Sequence, residues 1–213
     1  MPPKNPFHFN EVKNDVLLLV EGIDDARFCN AILRRLGRTN VQIAFVGSKD
    51  NFRPFFNSLL PKSKGFSRLR RLGVIRDADR NATDTLRSLR DALTAAKLPA
   101  PPRAWETEHS DQLSVTLAIL PDESSPGNLE DLCLRSIGNS PESTCVDEYV
   151  KCRENVGTPI ANNRLAKSKV YAYLAVGKDG AKPGLRLGEA AEAGVWDWGA
   201  PEFRSIIDFL QNL

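Results

Sequence analysis

The feature that most constrains this chain is a five-residue apolar run, Val16 to Val20 (VLLLV), that halts at Glu21-Gly22. A short run with no polar position suits a strand covered on both faces, as happens in a parallel sheet flanked by helices. A helix should follow the turn. From Asp24 to Leu36 the apolar residues Phe28, Ile32, Leu33 and Leu36 keep helical spacing, acids fill the first turn, arginines fill the last, and Gly37 closes the segment.

The unit then repeats. Val41 to Val46 reads as a second strand turning at Gly47-Ser48, and Asn51 to Leu60 as a helix stopped by Pro61. Leu72 to Ile75 is a third strand that runs into Asp77-Ala78-Asp79, and Thr83 to Ala96 a third helix. Such alternation predicts an α/β fold with a mainly parallel sheet. Beyond Pro99 to Pro102, Ala104 to Glu106 and Leu113 to Leu120 read as strands around a polar turn at Glu108 to Asp111, forming a hairpin or an added edge. A helix over Leu129 to Ile137, helices near Ser143 to Asn155 and Asn163 to Val176, a glycine-rich loop from Gly177 to Gly184 and an amphipathic helix within Pro201 to Leu213 complete the reading. The expected organisation is an α/β domain over 1–135 and a helical C-terminal extension over 136–213 packed on the same core.

With 213 residues, 41% of them hydrophobic, the chain can bury a sizeable core. Lysine and arginine total 29 against 27 acids, so bulk charge does not announce a polyanionic partner. Cations do cluster locally, at Arg34, Arg35 and Arg38 and at Lys62, Lys64, Arg68, Arg70 and Arg71. Runs of this kind are ordinarily solvated faces, and they are also the candidate nucleic-acid contacts. Cys29, Cys133, Cys145 and Cys152 form no CxxC pair and only His8 and His109 could join them, which disfavours a structural zinc site and suits reduced thiols. No apolar signal core and no stretch near ~18 apolar residues is present, so no membrane partner and a cytoplasmic location are expected.

Strands of a parallel sheet end on one edge, where ligands of open α/β sheets bind. Glu21 follows the first strand, Asp25 lies four residues on, and Asp77 and Asp79 follow the third. If strand geometry persists, Asp77 and Asp79 lean to one side. Crowded carboxylates repel, divalent metal relieves the repulsion, and an oxygen-only donor set favours Mg2+, Mn2+ or Ca2+ over zinc. Singly, a Glu-Gly is commonly a turn and a DxD a helix cap. In order, each at a strand end, they point to phosphoryl chemistry.

These segments carry a resemblance. LLLVEGIDDARF (Leu17 to Phe28) and GVIRDADRN (Gly73 to Asn81) are similar to the two signature motifs of the TOPRIM superfamily, a glutamate after one strand and a DxD after a later one. Further on, ILPDESSPGNLEDL (Ile119 to Leu132) and AKSKVYAYLA (Ala166 to Ala175) resemble small stand-alone TOPRIM proteins of the DUF3226 type, related to the overcoming-lysogenization-defect (OLD) nucleases. The first two motifs are moderately specific and the last two weakly so.

The resemblance implies a TOPRIM fold and a nuclease using two Mg2+ (or Mn2+) ions on DNA or RNA, alone or as the effector of a defence or repair complex. It implies Glu21 as metal ligand or general base, Asp25, Asp77 and Asp79 as metal ligands, and Glu130, with Asp131, completing a second metal site. Lys167 or Lys169 would steady charge on the phosphate or protonate the leaving oxygen; sequence does not separate the two. The chain has no GxxxxGK[ST] segment, so control by ATP would require a separate ATPase partner. No topoisomerase cleavage tyrosine and no primase zinc-binding part is recognisable, and oligomer formation is left open. Two rivals remain: a catalytically silent scaffold that binds nucleic acid or protein, and a small-molecule phosphoesterase. Trp196 and Trp198 suit base stacking or, more commonly, a loop anchored on the core, and Gly47-Ser48-Lys49 suits a phosphate contact or a plain turn.

Overall fold

Every residue of β1 (Val16–Val20) is buried. The computed structural model describes residues 6–138, 140–157, 159–175 and 182–213. Around β1, the strands β2 (Val41–Phe45), β3 (Arg71–Asp77), β4 (Thr107–His109) and β5 (Ser114–Leu120) form one sheet in the order β2-β1-β3-β5-β4. All pairings are parallel except that of β4 with β5. The protein is thus a mixed α/β structure with a five-stranded, mostly parallel sheet.

Side-chain alternation along β1 divides the core into two layers. Val16, Leu18 and Val20 join α1 (Ile23–Arg35), α4 (Leu129–Ile137), α6 (Asn162–Ala175), α7 (Leu187–Glu192) and α8 (Arg204–Asn212). Leu17 and Leu19 face α2, an irregular helical segment over 49–59, and α3 (Ala82–Ala95). Burying each of these five side chains contributes about 1.5–3 kcal/mol, so a polar residue in β1 would disrupt one layer or the other. α5 (Pro141–Asn155) packs on α6 and adds Val146 to the first of these layers.

Local differences from the sequence reading have physical causes. The expected regular helix from Asn51 to Leu60 is instead a 3-10 turn (Lys49–Asn51), one α turn (Phe52–Pro54) and a π turn (Phe55–Leu59), with the amide of Leu60 donating to the carbonyl of Phe55 at 2.9 Å. Pro54 lacks an amide hydrogen and cannot sustain the regular ladder. The hairpin begins at Thr107 rather than Ala104 because Trp105 has φ +67°, which interrupts an extended chain. Trp196 is buried and stacks on Tyr173 with centroids 6.0 Å apart, while Trp198 meets Phe28 edge-on at 5.2 Å. Both tryptophans therefore anchor the C-terminal segment. Of the expected glycine-rich loop, residues 177–181 lie outside the described residues, as do Val176 and residues 1–5. Among the described residues, no helix is long and apolar enough to cross a membrane.

α7 lies tightly against α1. A Cβ on Gly188 would stand 2.7 Å from Cβ of Arg27 and 2.8 Å from the carbonyl oxygen of Asp24. Beside this contact Arg27 pairs with Glu189 at 2.8 Å, and Arg186 grips Asp24 at 2.7 and 3.2 Å. Gly188→Ala is expected to cost about 1–3 kcal/mol in urea denaturation, because backbone must move to admit the methyl group. An unchanged midpoint would show that the two helices separate freely.

Candidate functional site

The C-terminal ends of β1, β3 and β5 share one edge, where α1, α3 and α4 begin. Glu21 sits just past β1, in a turn where Gly47 occupies φ +88° and donates its amide to the Glu21 carbonyl at 2.8 Å. Asp25 is at the third position of α1, and its Oδ2 accepts the Gly22 amide at 2.7 Å. Asp77 is the last residue of β3, and its Oδ1 accepts the amide of Leu129, the first residue of α4, at 3.0 Å. Glu130 follows on α4 with a side chain only 17% exposed.

These carboxylates fall into two groupings, on either side of the sheet's edge. Asp77 continues the β3 face that carries Ile75 and looks toward α1 and α4. Burial raises the Asp77 carboxyl well above its ordinary value, and Asp25, Glu130, Glu21 and Asp79 add to the rise. Burial likewise raises Asp25 to about 7 against the amide of Gly22, with Glu130, Glu21 and Asp24 reinforcing it. On the other side, Glu21 is raised by burial and by Asp79, while Arg76, Lys49 and a bond from the Lys49 amide oppose the rise. A carboxylate serving only as a helix cap is ordinarily held low by its amide bonds. Asp25 and Asp77 depart from that pattern.

Contrary to the sequence expectation, strand geometry does not run through the DxD. Asp79 has φ +54°, β3 has already ended, and Asp79 exchanges two 2.9 Å backbone bonds with Gly127. Its side chain pairs with Lys49 at 2.9 Å instead of lying parallel to that of Asp77. Asp131 is occupied in capping: its Oδ2 accepts the Asn128 amide at 3.0 Å, and its own amide donates to Asn128 Oδ1 at 3.1 Å. Among the described residues, no three or more His, Cys, Asp and Glu side chains converge to hold one ion as they stand.

The two lysines separate. Lys167 Nζ lies 3.7 Å from Glu130 Oε1 and is 56% exposed, whereas Lys169 pairs with Asp147 of α5 at 2.7 Å. Only Lys167 is thereby shown beside an edge carboxylate.

The basic runs are carried to the other edge. Arg71 opens β3 and Asp77 closes it, so the strand puts roughly 20 Å between them. The amides of Arg70 and Arg71 donate to the carbonyl of Asp15, just before β1, at 2.7 and 3.0 Å, and Arg68 reaches the carbonyl of Lys13 at 3.2 Å. The Lys64 carbonyl accepts the Val12 amide at 2.9 Å, and Lys62 lies two residues before it. Arg34 and Arg35 end α1, which has by then run back along the sheet. In their place the structure brings Lys49, Arg76 and Arg80 to a cleft of about 1170 Å³ beside the acids. Arg76 is legible in retrospect as a cation inside the apolar strand GVIRD, and Lys49 as part of the turn after β2.

The sequence model of a family described as Protein of unknown function (DUF3226) matches residues 15–213. The chain belongs to the DUF3226 family. No curated protein matches. Similar solved structures are of the C-terminal region of the Xanthomonas campestris pv. campestris OLD protein: one phased with iodine at 15% identity and TM-score 0.46, another phased with mercury at 13% and 0.45. Each covers 93% of this chain and 95% of that one. A likeness of that degree carries nothing on activity.

For this DUF3226 protein the burial of Asp25, with the crowding around it, sets a pH dependence. A carboxyl raised in the folded state from 3.8 to about 7 stabilises the fold below 3.8, and that contribution is lost as pH rises through about 7. In EDTA, Asp25→Asn, which can still accept the Gly22 amide, is expected to gain melting temperature relative to wild type as pH rises across this window, then level off. A constant loss at every pH would identify Asp25 as an ordinary cap.

Proposed function

We propose that the chain is a TOPRIM-type, metal-dependent phosphodiesterase that cleaves or nicks nucleic acid at the edge carrying Glu21, Asp25, Asp77, Asp79 and Glu130. The observation that carries this reading is the gathering of Asp25, Asp77 and Glu130 from three separate elements, where burial raises the carboxyl groups of Asp25 and Asp77 and their mutual crowding adds to the rise. Caps alone do not require such crowding, whereas divalent cations make use of it.

The donor set is all oxygen, which fits Mg2+ or Mn2+. Asp25, Asp77 and Glu130 would hold one ion and Glu21 with Asp79 a second. Bound metal would supply activation of the attacking water and neutralisation of charge on the phosphate. Glu21, its carboxyl raised by burial and by Asp79, is suited to accept the proton of that water. Lys167, half exposed beside Glu130, can swing to the phosphate and offset developing charge or protonate the departing oxygen. Asp131 and Asn128 fix the start of α4 and so the position of Glu130. Arg135, paired with Asp122 at 2.6 Å, holds the preceding loop, and burial of Asp122 is outweighed by this pair and by the amides of Ser124 and Ser125, which keep its carboxyl low.

The capping bonds of Asp25, Asp77 and Asp131 favour a second reading, a TOPRIM scaffold without turnover. A nicking assay on plasmid, single-stranded DNA and RNA with Mg2+ or Mn2+ separates the two. Wild type is expected to cleave at least one substrate, Glu21→Gln and Asp77→Asn to lose about 10²-fold or more, and Lys167→Ala to lose about 10²–10³-fold. Lys169→Ala should cost far less. Equal behaviour of wild type and both acid variants would leave the scaffold.

A further inference from the structure

One buried charge is left over by that reading. Arg76 is only 9% exposed, yet it lies in the strand that ends at Asp77 and lines the 1170 Å³ cleft on the α3 side of the edge. Its guanidinium sits 5.9 Å over the ring of Phe52, and its Nη1 is 3.5 Å from Ser88 Oγ, at the limit of a hydrogen bond. Among the described residues, its Nε has no hydrogen-bond partner and its charge no carboxylate within ion-pair distance. A buried cation so placed is costly unless an anion joins it.

The rest of the cleft indicates which anion. Its acids are already engaged: Asp79 pairs with Lys49 at 2.9 Å, Asp84 with Arg87 at 2.8 Å, and Asp131 caps α4. Arg76, which acts on Glu21 only at a distance, and the exposed Arg80 are therefore, among the described residues, guanidinium groups without an ion-pair partner in a space open to solvent and continuous with the acidic edge through Asp79. A guanidinium presents paired donors suited to phosphate oxygens. We propose that this cleft holds a backbone phosphate of the nucleic-acid strand on Arg76, with Arg80 at the rim, next to the phosphate that meets the carboxylates. The inference rests on the phosphodiesterase reading and adds a direction to it: the strand leaves the edge toward α3, away from the arginines at the far end of β3.

The test is binding without turnover. Anisotropy of a fluorescein-labelled single-stranded DNA dodecamer is followed in EDTA and again in Ca2+, across a salt series, with inorganic phosphate as competitor. Arg76→Gln and Arg80→Gln are each expected to weaken binding about tenfold and lower the salt slope by about one. Lys97→Gln, the same charge change at the other end of α3, should do neither. If Arg76→Gln does not fold, Arg80→Gln and the phosphate competition on wild type decide. Unchanged affinity in these variants, or a loss confined to Arg70→Gln/Arg71→Gln, overturns the cleft. Absence of metal-dependent cleavage with the Arg76 effect intact would instead sink the phosphodiesterase reading and leave the cleft standing.

Discussion

The neighbours of β1 run parallel to it through helical crossovers that cover both of its faces, and a parallel sheet delivers every strand end to one edge and every strand start to the other. That sorting governs the molecule. Glu21 and Asp77, 56 positions apart in the chain, become neighbours because one follows the end of β1 and the other closes β3. Arg71 and Asp77, six positions apart, are separated by the length of β3. Distance along the sequence is a poor guide here, and position along a strand is a good one.

The acidic edge is held together against its own repulsion. Three devices offset it: helix amides that receive Asp25 and Asp77, burial that favours their protonated forms, and the cations Lys49, Arg76 and Lys167 placed around the rim. None neutralises the whole group. A divalent cation held at the proposed site would displace protons from this edge, which ties the electrostatics of the fold to the chemistry proposed for it. The rim is asymmetric as well, with Lys49, Arg76 and Arg80 on the α3 side and Lys167 on the α6 side.

Much of this was legible in the sequence where one residue type served one purpose. VLLLV marked the buried strand, the acids and arginines at the two ends of α1 marked its limits, and Glu21, Asp25, Asp77 and Glu130 were found at strand and helix ends. What escaped had to do with backbone and partners. The left-handed conformation of Asp79 turns its side chain away from that of Asp77 and toward Lys49, and composition does not announce it. Lys167 and Lys169 are indistinguishable until Asp147 is seen to claim one of them. The basic runs stand out by density alone, whereas Arg76, a single cation in an apolar strand, reaches the edge together with Lys49 and Arg80.

The claim on which the rest depends is that the crowded carboxylates form a divalent-cation site. Titration of Mn2+ into the protein near neutral pH, with bound and free ion counted by electron paramagnetic resonance, tests it without reference to any substrate. Saturable binding of more than one ion per chain, weakened at least about tenfold in Asp77→Asn with the fold intact, is the result this account requires. Absence of saturable binding to wild type, or the same titration curve for Asp77→Asn, would contradict it.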